Sequence, residues 1–186
     1  MSAARTPAAT RNAANPANDR FARPLVSLHW IIAIIPIAML CTGFYMGSLP
    51  RGLPFKSTLV NFHKSLGITI FLLVLLHIWA RLAYGRPPLP PMQTWQRAAA
   101  SITQALLYVG MVGMPLSGYL GSSFNKFGTK FWVLPLPQWG WDDKGLRHTF
   151  FTIHEYLAWM MIALHFLGAL KHQLIDRDGL LRRMWP

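Results

Sequence analysis

Residues 150–175 read FFTIHEYLAWMMIALHFLGALKHQLI, and this stretch decides the fold. A helix needs about 20 mostly apolar residues to cross a bilayer, and this segment supplies them. Its two formal charges, Glu155 and Lys171, stand near its ends, where long side chains reach back to water. Three histidines punctuate it: His154, His165 and His172. At about 100° and 1.5 Å per residue, the step from His154 to His165 returns to nearly the same helix face, about 16 Å further along the axis. His172 lies close to that face as well. One spanning helix therefore presents imidazoles at more than one depth.

Three further stretches qualify as spans: residues 25–46, 58–83 and 98–124. The first and third carry no formal charge, and the second has only Lys64 near its start and Arg81 near its end. Pro36 and Pro115 fall inside the first and third, where neighbouring helices can satisfy the carbonyls that a proline frees. The first span is too long and uninterrupted for a cleaved signal segment. Residues 1–20, rich in Ala, Asn, Arg and Pro, read as a disordered cytoplasmic tail, and residues 21–186 as one membrane domain.

Composition agrees. Of 186 residues, 53% are apolar and 13% charged, about half the charge a soluble domain needs to cover its surface. The single Cys41 excludes an internal disulfide, a zinc cluster and an iron–sulfur site. The net charge of +12 has no soluble face to sit on, which excludes nucleic-acid binding. Juxtamembrane Lys and Arg instead meet anionic lipid and fix topology. Arg5, Arg11, Arg20, Arg23, Arg81, Arg86, Arg97, Lys171, Arg177, Arg182 and Arg183 fall on the side of the termini. Arg51, Lys56, Lys64, Lys126, Lys130, Lys144 and Arg147 fall opposite. That bias predicts both termini in the cytoplasm of a multi-pass inner-membrane protein. The connection of residues 125–149, with Trp132, Trp139 and Trp141 among prolines, reads as an aromatic belt on the outer surface.

Six of seven histidines (His29, His63, His77, His154, His165 and His172) lie in or beside spans. Polar side chains are costly in lipid, so each needs a partner or a task. His29 stands near the cytoplasmic end of the first span, while His63 and His154 stand near the outer ends of the second and fourth. This arrangement suits two bis-histidine haems, one above the other, between facing helices of a bundle. Full axial ligation favours electron transfer over oxygen binding. Divalent-metal transport, the rival use of membrane histidines, calls for midplane carboxylates, and only Glu155 lies in a span, close to one surface. The expected fold is all-α: a four-helix transmembrane bundle with two b-type haems between helices.

The residues also resemble the bacterial cytochrome b-561 family, di-haem four-helix membrane cytochromes b. The likeness runs from Phe21 to Pro186. It is carried by Arg23-Pro-Leu-Val-Ser-Leu-His29-Trp30, His63-Lys-Ser-Leu-Gly67, Met114-Pro-Leu-Ser-Gly118, His154-Glu155, Ala163-Leu-His165 with Ala169-Leu-Lys-His172, and Asp178-Gly-Leu-Leu-Arg-Arg-Met184. The resemblance implies two haem b groups, with His29 and His165 ligating the cytoplasmic-side iron and His63 and His154 the outer one. Small residues near the ligands, such as Gly67, would let a macrocycle approach the backbone. The family usually spaces the two fourth-helix ligands by 14 residues rather than 11, which leaves His172 as the alternative to His165. His77 stands where the family often has Arg, suiting a haem-propionate or helix contact. His148 reads as a surface histidine, and the methionines as packing residues. Arg23, Arg81 and Lys171 are topology signals that could also pair a propionate.

The function implied is transmembrane electron transfer from an outer-side donor to the ubiquinone pool. Some family members are thought to oxidise superoxide, and the cations Lys126, Lys130, Lys144 and Arg147 would favour encounter with a small anion. This makes the chain a haem-dependent membrane oxidoreductase, with a membrane quinone and either superoxide or a periplasmic redox protein as its partners. The alternative is a cytochrome b membrane anchor exchanging electrons with a separate dehydrogenase or periplasmic partner.

Overall fold

The computed structural model describes residues 20–50, 52–85 and 92–185. Four long helices dominate: α1 Arg23–Ser48, α2 Pro54–Tyr84, α3 Thr94–Ser123 and α4 Lys144–Leu170. Each is long and apolar enough to cross a membrane. A π-helical turn, Lys171–Asp176, continues α4, and a short α5, Leu180–Arg183, closes the chain. Between α3 and α4 the strands β1 Thr129–Phe131 and β2 Leu134–Leu136 pair antiparallel, with Thr129 opposite Leu136. The predicted tail falls mostly on residues 1–19, outside the described residues, as do residues 86–91 (RPPLPP) between the second and third spans.

The helices start earlier than their apolar stretches do, because hydropathy marks where lipid ends while hydrogen bonding marks where a helix ends. Proline stands in the first turn of both α1 and α2, where its missing N–H costs nothing. Gln93 and Gln96 form a reciprocal capping box at α3. Asp143 caps α4, its carboxylate accepting the Leu146 N–H at 2.9 Å. This cap starts the helix six residues before the apolar stretch at Phe150. Pro36 and Pro115 lie inside α1 and α3, as read from the sequence.

Lipid is the solvent for most of the surface. Ile34, Ile37, Leu82 and Phe166 are all more than 60% exposed, which only a hydrocarbon environment makes favourable. The small buried core centres on Met39, Ile70 and Val74, between α1 and α2. Seams of close packing join α1 to α2, α2 to α3, and α3 to α4. The α3–α4 seam rests on glycines. A Cβ at Gly110 would meet Met161 at 2.6 Å, and one at Gly121 would meet Phe151 at 3.0 Å. Small residues of this kind let spanning helices approach where no hydrophobic force draws them together. By contrast α4 has no comparable seam with α1 or α2, and no α4 residue is buried. It meets those helices through rings.

The 3–4 connection is more ordered than a surface belt. Its hairpin is fastened to α2: the Trp132 N–H donates to Ser65 Oγ at 2.7 Å, and Asn61 Nδ2 donates to the Trp132 carbonyl at 3.0 Å. Ser65 is fully buried beneath it. Lys64 reaches the Gly128 carbonyl at 3.2 Å. Trp132, Trp139 and Trp141 all remain exposed, with Trp141 edge-on to Phe124.

Candidate functional site

Two histidine pairs bridge α4 to the first helical hairpin. His63 on α2 faces His154 on α4, their ring centroids 6.4 Å apart. His29 on α1 faces His165 on α4 at 5.9 Å. A metal-bound imidazole nitrogen lies about 2 Å from its ion and about 1 Å from its own ring centre, so two imidazoles on opposite sides of one ion stand about 6 Å apart. Both separations match that requirement. The aromatic pair Phe44–Trp159, centroids 5.8 Å apart, also joins α1 to α4.

The hydrogen bonds behind the rings fix their chemistry. His154 Nδ1 lies 2.7 Å from the Met114 carbonyl. A carbonyl only accepts, so Nδ1 carries the proton and Nε2 keeps its lone pair for a ligand bond. Ser117 Oγ donates to the same carbonyl at 2.8 Å, and Pro115, lacking an N–H, frees the Met111 carbonyl one turn earlier. Gly118 makes room for the ring, since a Cβ there would lie 2.9 Å from His154 Nδ1. His63 has a looser support. Thr42 Oγ1 donates to the Met39 carbonyl at 2.9 Å, leaving its lone pair to accept from His63 Nδ1 at 3.4 Å. Among the described residues no hydrogen bond reaches the ring of His29 or His165. Trp30 stands edge-on beside His29.

The remaining histidines go elsewhere. His172 turns away from the pairs and donates from Nδ1 to Asp178 Oδ2 at 2.7 Å, with Asp176 Oδ2 at 3.6 Å. His165, not His172, thus stands against His29. His77 Nδ1 is enclosed and has no hydrogen-bond partner among the described residues. His148 lies exposed in the first turns of α4. Arg81 caps its own helix by donating to the Gly85 carbonyl at 2.6 Å, and Lys171 pairs with Asp176. Lys126, Lys130 and Lys144 are exposed on the hairpin side, whereas Arg147 lies 3.7 Å from Asp142. Gly67 is under no steric constraint, since a Cβ there would make only an ordinary contact with Met39 Cε at 3.6 Å. The small residue that matters at a histidine is Gly118.

The sequence description of the prokaryotic cytochrome b561 family matches residues 20–186, nearly the whole chain. The chain belongs to the prokaryotic cytochrome b561 family. It is 30% identical over 178 residues to cytochrome b561 homolog 2 of Escherichia coli (strain K12), covering 89% of this chain and 91% of that one. Cytochrome b561 homolog 1 of the same strain is 29% identical, with 90% and 98% covered. A protein of Yersinia pestis named probable superoxide oxidase CybB is 27% identical, with 87% and 93% covered. Membership makes this cytochrome b561 a membrane haem protein. The residues fit that group: imidazole pairs at ligand spacing, one with its tautomer set, on a helix that meets its neighbours through rings.

Proposed function

We propose that this cytochrome b561 is a transmembrane electron carrier with two bis-histidine b haems, His63 with His154 at one level and His29 with His165 at the other. The observation that carries this reading is the presence of two facing imidazole pairs at two depths of a single helix. Held by these four histidines, the haems would supply one-electron exchange. The chain's own part is to aim Nε2 of His154, using the Met114 carbonyl, and to keep both levels within the bilayer. The positive-inside bias sets the termini in the cytoplasm and the hairpin on the outer face of an inner membrane.

Superoxide is the proposed donor and ubiquinone the acceptor. Two superoxide ions give up one electron each to become dioxygen, and with two protons those electrons convert one quinone to its quinol. The Yersinia pestis relative's name supports this choice. So do the exposed ammonium groups of Lys126, Lys130 and Lys144, which raise the encounter rate of a small anion. Arg147 contributes least, because Asp142 lies against it.

Spectra of the purified protein, oxidised and dithionite-reduced with haem counted per chain, test the carrier. Two b-type haems are expected, and a colourless protein overturns the reading. Replacing Lys126, Lys130 and Lys144 by Gln should slow superoxide-driven quinol formation and flatten its salt dependence. An unchanged rate and salt dependence would remove superoxide as donor. A second polypeptide co-purifying in equal amount, with slow turnover without it, would favour the anchor-subunit reading instead.

A further inference from the structure

After the π-helical turn the backbone reverses through Arg177 (φ 49°) and Gly179 (φ 69°) before α5 begins. The hook borders an open hollow of about 450 Å³ lined by Gln173, Arg177, Gly179, Leu181, Arg182 and Trp185. Its charges are sorted by side. Asp176 is taken by Lys171 and His172, while Asp178 is taken by His172 and by the Leu180 N–H at 3.0 Å. The two carboxylates are thereby drawn toward His172. Among the described residues Arg177 and Arg182 have no acidic partner, and Arg177 makes only a 3.3 Å bond from Nε to the Leu174 carbonyl.

The hook is held in place and lies at the edge of the lipid. Trp30 Nε1 donates to the Met184 carbonyl at 2.7 Å, and the Trp30 and Trp185 rings meet edge to face at 5.8 Å, tying α5 to α1. Leu174 and Ile175, immediately before the cavity, are strongly exposed, as lipid-facing residues are. Trp185 supplies the amphipathic ring that settles at headgroup level. Two guanidiniums without an acidic partner among the described residues, with an amide and an indole around a hollow at that level, match a phosphate group, which arginine forks bind through paired hydrogen bonds.

We propose that this hook binds a phosphate, carried on the headgroup of an anionic phospholipid. The site needs neither the histidine pairs nor any electron donor, so it stands or falls apart from the function proposed above.

The test uses the full-length protein, purified and delipidated, with thermal stability and native mass spectrometry as readouts. The probes are phosphatidylglycerol, phosphatidylcholine and inorganic phosphate. Phosphatidylglycerol should bind and raise the melting temperature, with phosphatidylcholine much weaker, and R177Q/R182Q should weaken phosphatidylglycerol binding at least about tenfold. R97Q removes a basic residue from the same side but outside the cavity and should bind as the unmodified protein does. The single variant R182Q, whose side chain makes no other bond among the described residues, guards against misfolding and should lose part of the affinity. Equal protection by inorganic phosphate would identify a free phosphate as the source and overturn the lipid assignment. Equal binding of both lipids, undiminished phosphatidylglycerol binding by R177Q/R182Q and R182Q, or displacement of the lipid by a short-chain ubiquinone would overturn the site.

Discussion

The two histidine levels are built to different standards. At the hairpin side, His154 is locked by the Met114 carbonyl and fitted over Gly118, and His63 has Thr42 behind it. At the terminal side, His29 and His165 face each other with no hydrogen bond to either ring among the described residues. A ring with a fixed tautomer arrives ready for a ligand bond, whereas a free ring must lose rotational and tautomeric freedom when it binds. The hairpin-side level is therefore the preorganised one, and the terminal-side level takes its order from whatever it binds.

That contrast can be broken most directly at the proposed ligands. His154→Ala and His165→Ala should each reduce haem content from two to one per chain, measured as the pyridine haemochrome. The second result is the sharper one, because His172 lies seven residues further on. Its ring is held at Asp178, away from His29, so it should not replace His165 unless that hydrogen bond breaks. Retention of two haems by His165→Ala would show that His172 swings in.

Gly118→Ala comes next. The added carbon would sit 2.9 Å from His154 Nδ1 and displace the ring from its carbonyl. Loss of such a supporting contact lowers ligand-site affinity by about tenfold or more, so haem should wash out selectively from the hairpin-side level during purification. Equal loss from both levels would erase the distinction between them. The smallest effect belongs to Thr42→Val. At 3.4 Å its bond to His63 is weak, so two haems per chain should remain, with a slight shift in the midpoint potential of the hairpin-side haem alone.

Much of this architecture was legible in the residues. The helix period carried His154 and His165 to one face without further information, and long apolar stretches located four helices. What was hidden depends on the backbone. The partner of His154 is a main-chain carbonyl, which any residue at position 114 would possess, and only Pro115 and Gly118 hinted that something approached there. The hairpin was hidden for a similar reason. Its turn places Trp132 at φ 56°, a conformation that a sequence normally announces with glycine or asparagine. The early start of α4 was readable in Asp143, a good N-cap, but hydropathy alone passes over it.

The packing seams bear on biogenesis. The α1–α2 and α3–α4 hairpins each have a close seam of their own, and each histidine pair draws one member from either hairpin. A nascent chain that has released only its first two spans carries half of both sites and the whole of neither. If haem is held as proposed, loading waits until the fourth span has entered the bilayer, and a group captured between His63 and His154 or between His29 and His165 would clasp the two halves together. On that assignment, cofactor capture and completion of the bundle would form a single checkpoint, one that a chain truncated before α4 would not pass.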